Sequence, residues 1–228
     1  MRVRLLCSLI TLLIVAVSLP AQSTADHPAP AGPRLTFDQR WPAADPQWFQ
    51  LVIQSDGSAR YRSLPHQEQS QSSDPDPFEY SFTLSPRARQ LVFSVGRQLP
   101  RFQGSLDKLK VAFTGAKTIH YEDGSGASSQ ITYNYSSASE LSAFTDLMQG
   151  ISSSVELMQV LQNQMRFDKL ALDATLRQAE ELASMHRLSE PQVLHPILER
   201  IATDREVLHI ARQRAARILE STSAAAQK

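Results

Sequence analysis

The chain has 228 residues, and its 23 basic and 23 acidic side chains give a formal net charge of zero at pH 7. Removal of an N-terminal leader containing Arg2 and Arg4 would leave a net charge of −2, without the overall excess of positive charge that is typical of nucleic-acid-binding proteins, so we expect no nucleic-acid partner. The single cysteine, Cys7, lies in the same leader, so we expect neither disulfides nor cysteine chemistry in the mature protein.

Residues 1–25 have the pattern of a secretory signal peptide. The two arginines precede an apolar stretch over residues 5–19, and Pro20 and a run of mostly small residues follow it. The stretch is shorter than the roughly 20 residues that a ~30 Å hydrocarbon core requires. We therefore expect a leader cleaved near Ala25, no stable membrane span after cleavage, and a mature chain in the periplasm or outside the cell.

Residues 26–47 are predicted to form a proline-rich linker. The segment opens with the sequence DHPAPAGP. Proline fixes φ and lacks a backbone donor, so we expect neither a helix nor a central strand there.

Residues 48–150 have the pattern of an α+β domain built from two hairpin-plus-helix units. In the first unit, two strand-like runs flank Asp56-Gly57, a dipeptide that favours a tight turn because glycine adopts positive φ freely. A third strand precedes Ser85-Pro86, where a capping serine and a proline at the first helical position predict the start of a helix. We expect this helix to end at about residue 99.

The second unit repeats this order after residue 109. The turn at Asp123 separates strand segments, and the last strand alternates Ile131, Tyr133 and Tyr135 with polar residues. A helix with an apolar face follows. We therefore predict an antiparallel sheet with two helices packed on it.

Residues 151–222 are predicted to form an antiparallel helical hairpin, and residues 223–228 a disordered tail. Two segments rich in helix-forming residues flank the turn at 189–191, and the second has apolar residues at alternating spacings of three and four. Gly150 leaves two alternatives: it separates the domain from the hairpin, or it bends a helix that is continuous between them.

Three features of the sequence match an order of elements found in other proteins. They are the run from Ile53 through Asp56-Gly57 to Tyr61, a helix that begins at residue 85, and a strand over residues 131–135. With these positions, the region from Trp48 to Val155 resembles a broad group of exported bacterial domains of unknown function with a hairpin-helix-hairpin-helix order. The resemblance covers about half the chain. It implies export and this order of elements, and it transfers no catalytic residue.

No nucleophile or phosphate-binding motif occurs in the sequence. The segment GSGAS at 124–128 lacks the Gly-x-Ser-x-Gly pattern, and no glycine run leads into Gly-Lys-Ser/Thr. His120 and Glu122 share one face of a strand, which allows an acid/base pair, but an exposed strand end that runs into a polar turn is the prediction. We predict no catalytic residue and no cofactor.

No two histidines have the i, i+4 spacing of a helical metal site. His186 and His195 flank the predicted helical turn, with Glu190 between them. A metal site is one interpretation, and a solvated helix bend is the other. The second interpretation, with no metal, is the prediction.

Charged residues of the C-terminal segment are the candidate partner-binding residues: Asp168, Asp204, Arg212, Arg214 and Arg217. The two aspartates fall on predicted apolar seams, where an unpaired carboxylate would be strongly destabilising, so we expect them to be paired, exposed or in another register. The arginines suit the negative end of a helix dipole, and an acidic partner is the alternative. Candidate ion-pair partners are Arg200 and Arg205 for Asp204, and Arg166 and Lys169 for Asp168.

These features predict a non-enzymatic exported module of the cell envelope that acts through protein–protein contacts. The helical hairpin is the expected surface for a protein partner or for self-association. Two alternatives stay open: a secreted or periplasmic hydrolase with a site assembled from distant residues, and a small-molecule carrier with a cleft between sheet and hairpin.

Overall fold

The computed structural model describes residues 32–64, 77–107, 111–185 and 187–226. The predicted signal peptide and the first residues of the predicted linker lie outside these ranges.

Six strands form one antiparallel sheet in the order β4-β3-β2-β1-β5-β6. Tight turns join β2 to β3 at Asp56-Gly57 and β5 to β6 at Asp123-Gly124, with the two glycines at φ 95° and 81°. Both predicted hairpins are confirmed. The strands are β1 (Arg34–Arg40), β2 (Trp48–Gln54), β3 (Ser58–Leu64), β4 (Phe78–Thr83), β5 (Ala116–Glu122) and β6 (Ser128–Tyr133).

The predicted linker over residues 26–47 is wrong from Arg34 onward, because β1 is a central strand. It pairs with β2 on one side and with β5 on the other over its whole length. Leu35 and Phe37 alternate with more polar residues and are fully buried. The sequence DHPAPAGP ends at Pro33, and the segment that follows it has the period of a strand.

Helices α1 (Pro86–Phe102) and α2 (Ser139–Phe167) pack on one face of the sheet. The Ser85 hydroxyl accepts a hydrogen bond from the backbone N–H of Ala88 at 3.3 Å, so the predicted start of α1 is confirmed. Pro100 lies inside α1 and does not end it, since the helix continues for two more residues.

One continuous core lies between these helices and the inward face of the sheet. The Phe37 ring centroid lies 5.7 Å from that of Phe49 on the neighbouring strand and 5.7 Å from that of Phe144 on α2. Such aromatic contacts add to the apolar burial that holds sheet and helix together.

Three further helices follow: α3 (Leu172–Ser184), α4 (His195–Thr203) and α5 (His209–Ala226). Helix α5 packs against both α3 and α4, and their apolar sides extend the same core. The predicted fold class is confirmed: the protein is α+β, with an antiparallel sheet and C-terminal helices that pack together. Of the helices in the described ranges, none has the length and apolar character of a membrane span.

The C-terminal segment differs from the prediction in its element bounds. The two expected long helices are each interrupted near Asp168 and Asp204, which follow the last residues of α2 and α4. The predicted disordered tail over residues 223–228 is wrong up to Ala226, because α5 includes these residues. Residues 227–228 lie outside the described ranges.

Helix α2 is continuous through Gly150, so the boundary placed at residue 150 does not coincide with the end of an element. Glycine is needed there because Ser189 approaches closely: an added Cβ would lie 2.9 Å from the Ser189 Cβ and 3.1 Å from its backbone nitrogen. The backbone N–H of Ser189 donates to the Gly150 carbonyl at 3.2 Å, and the Ser154 hydroxyl donates to the Ser189 carbonyl at 2.6 Å. The segment leading into α4 is thereby fastened to the middle of α2.

Candidate functional site

Asp168 and Asp204 lie at helix ends, not on apolar seams. The Asp204 carboxylate accepts hydrogen bonds from Lys169 Nζ at 2.8 Å and from the backbone N–H of Glu206 at 2.8 Å. The Lys169 hydrogen bond is the main reason that the pKa of Asp204 lies below its usual value. Asp168 is exposed and accepts a hydrogen bond from the backbone N–H of Ala171 at 3.3 Å. The predicted seam positions are wrong because the chain leaves the helical conformation at both residues.

Arg214 and Arg217 form ion pairs with acidic residues of α3 inside the chain. Arg214 lies 2.7 Å from Asp173 and 2.6 Å from Glu180, and Arg217 lies 2.9 Å from Glu180. These pairs join α5 to α3, which the sequence did not indicate. Arg212 contacts the His209 ring at 3.5 Å. The five candidate residues therefore do not converge on one site.

His120 is half-buried on the face of the sheet opposite the helices, where it lies beside Thr36 of β1 in the strand register. Glu122 on the same face forms an ion pair with Arg34 at 2.7 Å. The hydrolase hypothesis expects His120 in a pocket with several carboxylates. In the described part of the chain, His120 is not among the residues that line the carboxylate-bearing cleft described below.

Glu190 anchors the C-terminal helices to the start of α1. Its carboxylate accepts hydrogen bonds from the Ser85 N–H at 2.6 Å, the Ser85 hydroxyl at 2.7 Å and the Gln192 amide at 2.6 Å. The side chain is largely buried, and its charge complements the dipole at the N-terminus of α1. His195 Nε2 lies 3.0 Å from the Thr222 hydroxyl.

No group of three or more potential metal ligands occurs among the residues that the structure describes, and His186 lies outside them. The interpretation of residues 186, 190 and 195 as a metal site therefore gains no support from the described Glu190 and His195.

A cleft of about 590 Å³ lies on the helix side of the sheet, between α2, the loop from β1 to β2 and the segment after α3. We call it the acid-lined cleft. One wall includes the half-buried Trp41 and the buried Phe49. The charged side chains that line the cleft are three carboxylates, Asp45, Asp146 and Glu156, and the exposed Arg187.

Helix α2 supplies one polar wall of this cleft through its periodicity. Asp146, Gln149, Ser153 and Glu156 follow one another at spacings of three, four and three, so they share one face of the helix. The Gln149 amide donates a hydrogen bond at 3.0 Å to the side-chain oxygen of Gln39, which extends from β1. This bond links the helix wall to the sheet.

Glu156 is held at the base of the cleft by hydroxyl groups. The fully buried Tyr61 donates its hydroxyl to Glu156 Oε1 at 2.7 Å, and the same hydroxyl lies 2.8 Å from Ser152 Oγ. Because the tyrosine proton goes to the carboxylate, Ser152 acts as donor to the tyrosine oxygen. The Ser63 hydroxyl also bonds to the Glu156 carboxylate.

Burial raises the pKa of Glu156, and the nearby charge of Asp45 raises it further, while the hydrogen bonds from Ser63 and Tyr61 act in the opposite direction. The pKa of the Tyr61 hydroxyl is raised well above its usual value by burial first and by the charge of Glu156 second. Tyr61 therefore stays protonated and serves as a permanent donor. No basic side chain in the described ranges forms an ion pair with Glu156.

The acid-lined cleft is not evident from the sequence. A polar stripe on one face of α2 is visible in the sequence as the positions 146, 149, 153 and 156. Its significance depends on Tyr61, which is 95 residues away in the chain and reaches the stripe only through the fold.

No protein-family model matches the chain, and no curated protein is similar to it in sequence. The resemblance to exported bacterial domains therefore stays a prediction.

Proposed function

We propose that the protein is an exported, non-enzymatic binding module of the cell envelope, and that its ligand is a small organic cation held in the acid-lined cleft. The observation that supports this is the Glu156 carboxylate, which hydroxyl groups hold in a concave site with two further carboxylates and one exposed arginine, Arg187, which forms no ion pair with Glu156. With three carboxylates and one arginine the cleft has an excess of negative charge, which the ammonium or guanidinium group of a ligand offsets.

Physical complementarity favours this class of ligand. A carboxylate in a partly desolvated cleft interacts more strongly with a cation than it would in water, because the local dielectric is lower. Charge-assisted hydrogen bonds from ammonium or guanidinium to carboxylate are among the stronger polar contacts in proteins. Trp41 offers an aromatic surface for the same cation. The volume of about 590 Å³ lies in the range of small-ligand sites.

Titration of the mature protein with argininamide tests the proposal, with the indole signal of Trp41 followed by NMR. We expect saturable shifts of that signal, and we expect Glu156→Gln to weaken binding about tenfold or more, as loss of a charge-assisted contact does. Glu199→Gln is the matched control, since Glu199 is an exposed carboxylate on α4 that does not line the cleft. Equal affinities for wild type and Glu156→Gln would contradict the proposal, as would equally strong binding of glutamate.

A hydrolase that uses paired carboxylates is the second candidate, and one specific observation favours it. A carboxyl group with a raised pKa beside a second carboxylate is the arrangement that general acid catalysis requires, and Glu156 beside Asp45 has these properties. Incubation of the mature protein with purified cell-wall glycan, followed by measurement of released reducing ends, tests this candidate. Release that Glu156→Gln abolishes would replace the binding proposal with the hydrolase.

Protein–protein contact through the C-terminal helices stays a prediction. Arg214 and Arg217, which the sequence suggested for an acidic partner, are engaged by Asp173 and Glu180 of the same chain. The acid-lined cleft therefore has stronger support as the binding site than these arginines.

A further inference from the structure

Arg187 is the basic side chain among the described residues that line the acid-lined cleft, and a purely cationic ligand does not use it. It lies on the segment after α3, whereas Asp45 lines the cleft from the loop between β1 and β2. The Arg187 side chain is exposed and forms no ion pair with the other described residues. Its guanidinium group is therefore available to an anionic group within the cleft.

The backbone that carries Arg187 is held in place from both directions. The Arg187 N–H donates a hydrogen bond to the Leu182 carbonyl at 2.9 Å, and two residues further on the Ser189 N–H donates to the Gly150 carbonyl at 3.2 Å. Gly150 is itself a residue of the cleft wall. The arginine side chain therefore extends from a defined position beside the middle of α2.

The carboxylates of the cleft lie on both sides of this position along α2. Glu156 is six residues after Gly150, which corresponds to about 9 Å along the helix axis, and the charge of Asp45 acts on Glu156 from the loop between β1 and β2. Asp146 is four residues before Gly150, and it forms no ion pair with Arg187. The cleft therefore has an acidic end at Glu156 and a second end, near Gly150, with one acidic and one basic group.

We propose that the ligand of the acid-lined cleft is a basic amino acid, and that Arg187 binds its α-carboxylate. Glu156 and Asp45 bind the cation of the ligand side chain, and Asp146 contacts the α-ammonium group. Pairs of arginine and carboxylate are frequently bidentate, so this contact has both strength and direction. The inference rests on the proposed function, because it names the chemical class of the cation bound there.

Apolar surface in the cleft suits the methylene chain of such a ligand. Met185 is 61% exposed and lines the cleft together with Trp41. A methylene chain packed against these side chains removes apolar surface from water. A polyamine would match the carboxylates and the apolar surface equally well, but Arg187 repels it and finds no partner on it. Arg187 therefore selects a ligand that also carries an anionic group.

A comparison of L-arginine with argininamide tests the proposal. The two ligands share the guanidinium and α-ammonium groups, and an amide replaces the carboxylate in argininamide. The three carboxylates alone would favour argininamide, because its net positive charge is larger. We expect the opposite order: in NMR titrations followed at the Trp41 indole signal, L-arginine should bind the wild-type mature protein about tenfold more tightly than argininamide.

The variant Arg187→Gln assigns this preference to one side chain. It should weaken L-arginine binding about tenfold or more and should not weaken argininamide binding, while its thermal unfolding stays unchanged because the side chain is exposed. The matched control is Arg200→Gln, since Arg200 is an exposed arginine on α4 that does not line the cleft. It should keep the wild-type preference for L-arginine.

The failure of this inference differs from the failure of the proposed function. If argininamide binds wild type as tightly as L-arginine or more tightly, or if Arg187→Gln keeps the wild-type preference, the role of Arg187 is refuted and the cation site is retained. If neither ligand binds wild type, the proposed function fails and this inference fails with it.

Discussion

Replacing Tyr61 by phenylalanine removes one hydroxyl group and leaves the ring in place. That hydroxyl donates to the Glu156 carboxylate at 2.7 Å and lies 2.8 Å from Ser152, in a site where the tyrosine has no exposed surface. A hydrogen bond to a charged group contributes about 1.5–3 kcal/mol, and Ser152 loses its partner as well. We therefore expect Tyr61→Phe to lower the free energy of unfolding by about 2 kcal/mol.

Two other tyrosines provide a comparison for the loss of stability expected from Tyr61→Phe. The Tyr133 hydroxyl lies 2.7 Å from the uncharged Thr145 hydroxyl, so Tyr133→Phe should cost about 1 kcal/mol. Tyr80 is the register partner of Tyr61 on β4, and its hydroxyl bonds to none of the described residues, so Tyr80→Phe should have almost no effect. The expected order of destabilisation is Tyr61, then Tyr133, then Tyr80.

Thermal unfolding followed by circular dichroism measures these differences. For a chain of this size, 1 kcal/mol corresponds to a shift of about 2–4 °C in Tm, so Tyr61→Phe should lower Tm by about 4–8 °C. A shift for Tyr61→Phe no larger than that for Tyr80→Phe would refute the argument that the Tyr61 hydroxyl holds Glu156 in place.

Three further substitutions test other contacts. Gly150→Ala should destabilise the protein by about 1–3 kcal/mol despite the better helix propensity of alanine, because the added Cβ meets Ser189. Chemical denaturation should show this loss of stability, and adding Ser189→Gly should reduce it. The control Gly104→Ala should show no comparable loss, because no atom lies within 4 Å of a Cβ added there. Glu156→Gln should raise Tm at neutral pH and lose this advantage as pH falls through the raised pKa of Glu156 toward 4.5, because wild-type Glu156 is then protonated and uncharged in the folded state; parallel pH profiles for variant and wild type would contradict this. Glu190→Ala removes the acceptor of three partly buried donors, the Ser85 N–H, the Ser85 hydroxyl and the Gln192 amide, and should cost about 1–3 kcal/mol in the same denaturation assay; an unchanged midpoint would show that this contact is dispensable.

Local rules account for much of the fold. Asp56-Gly57 and Ser85-Pro86 determine a turn and a helix start through backbone conformation and capping alone, so sequence was enough to predict them. β1 was missed because a proline-rich beginning was extended over a segment whose own alternation is that of a strand. Its central place in the sheet depends on pairing with strands on both sides, which sequence does not show directly.

The breaks in the C-terminal helices illustrate a different difficulty. Asp168 and Asp204 fit a helical period, yet each forms a local hydrogen bond to a backbone N–H that competes with helix continuation. The choice between the two conformations is decided by packing and by the Lys169 bond, which joins residues 35 positions apart.

The candidate site could be predicted only in part. The polar stripe on α2 follows from helical spacing, whereas the raised pKa of Glu156 depends on burial beneath distant segments and on the charge of Asp45. Neither the burial of Glu156 nor its distance from Asp45 can be calculated from spacing along the chain. The cleft forms because long-range contacts bring other segments of the chain against this face of α2.

NMR titration of the Glu156 side-chain carboxyl, in the free protein and with argininamide added, tests the account most directly. We expect the pKa of Glu156 to lie above its ordinary value of 4.5 in the free protein and to fall once argininamide is bound, because the bound cation stabilises the carboxylate. An unshifted pKa in the free protein, or a pKa that stays the same at saturating argininamide, would contradict the claim that this carboxylate holds the ligand.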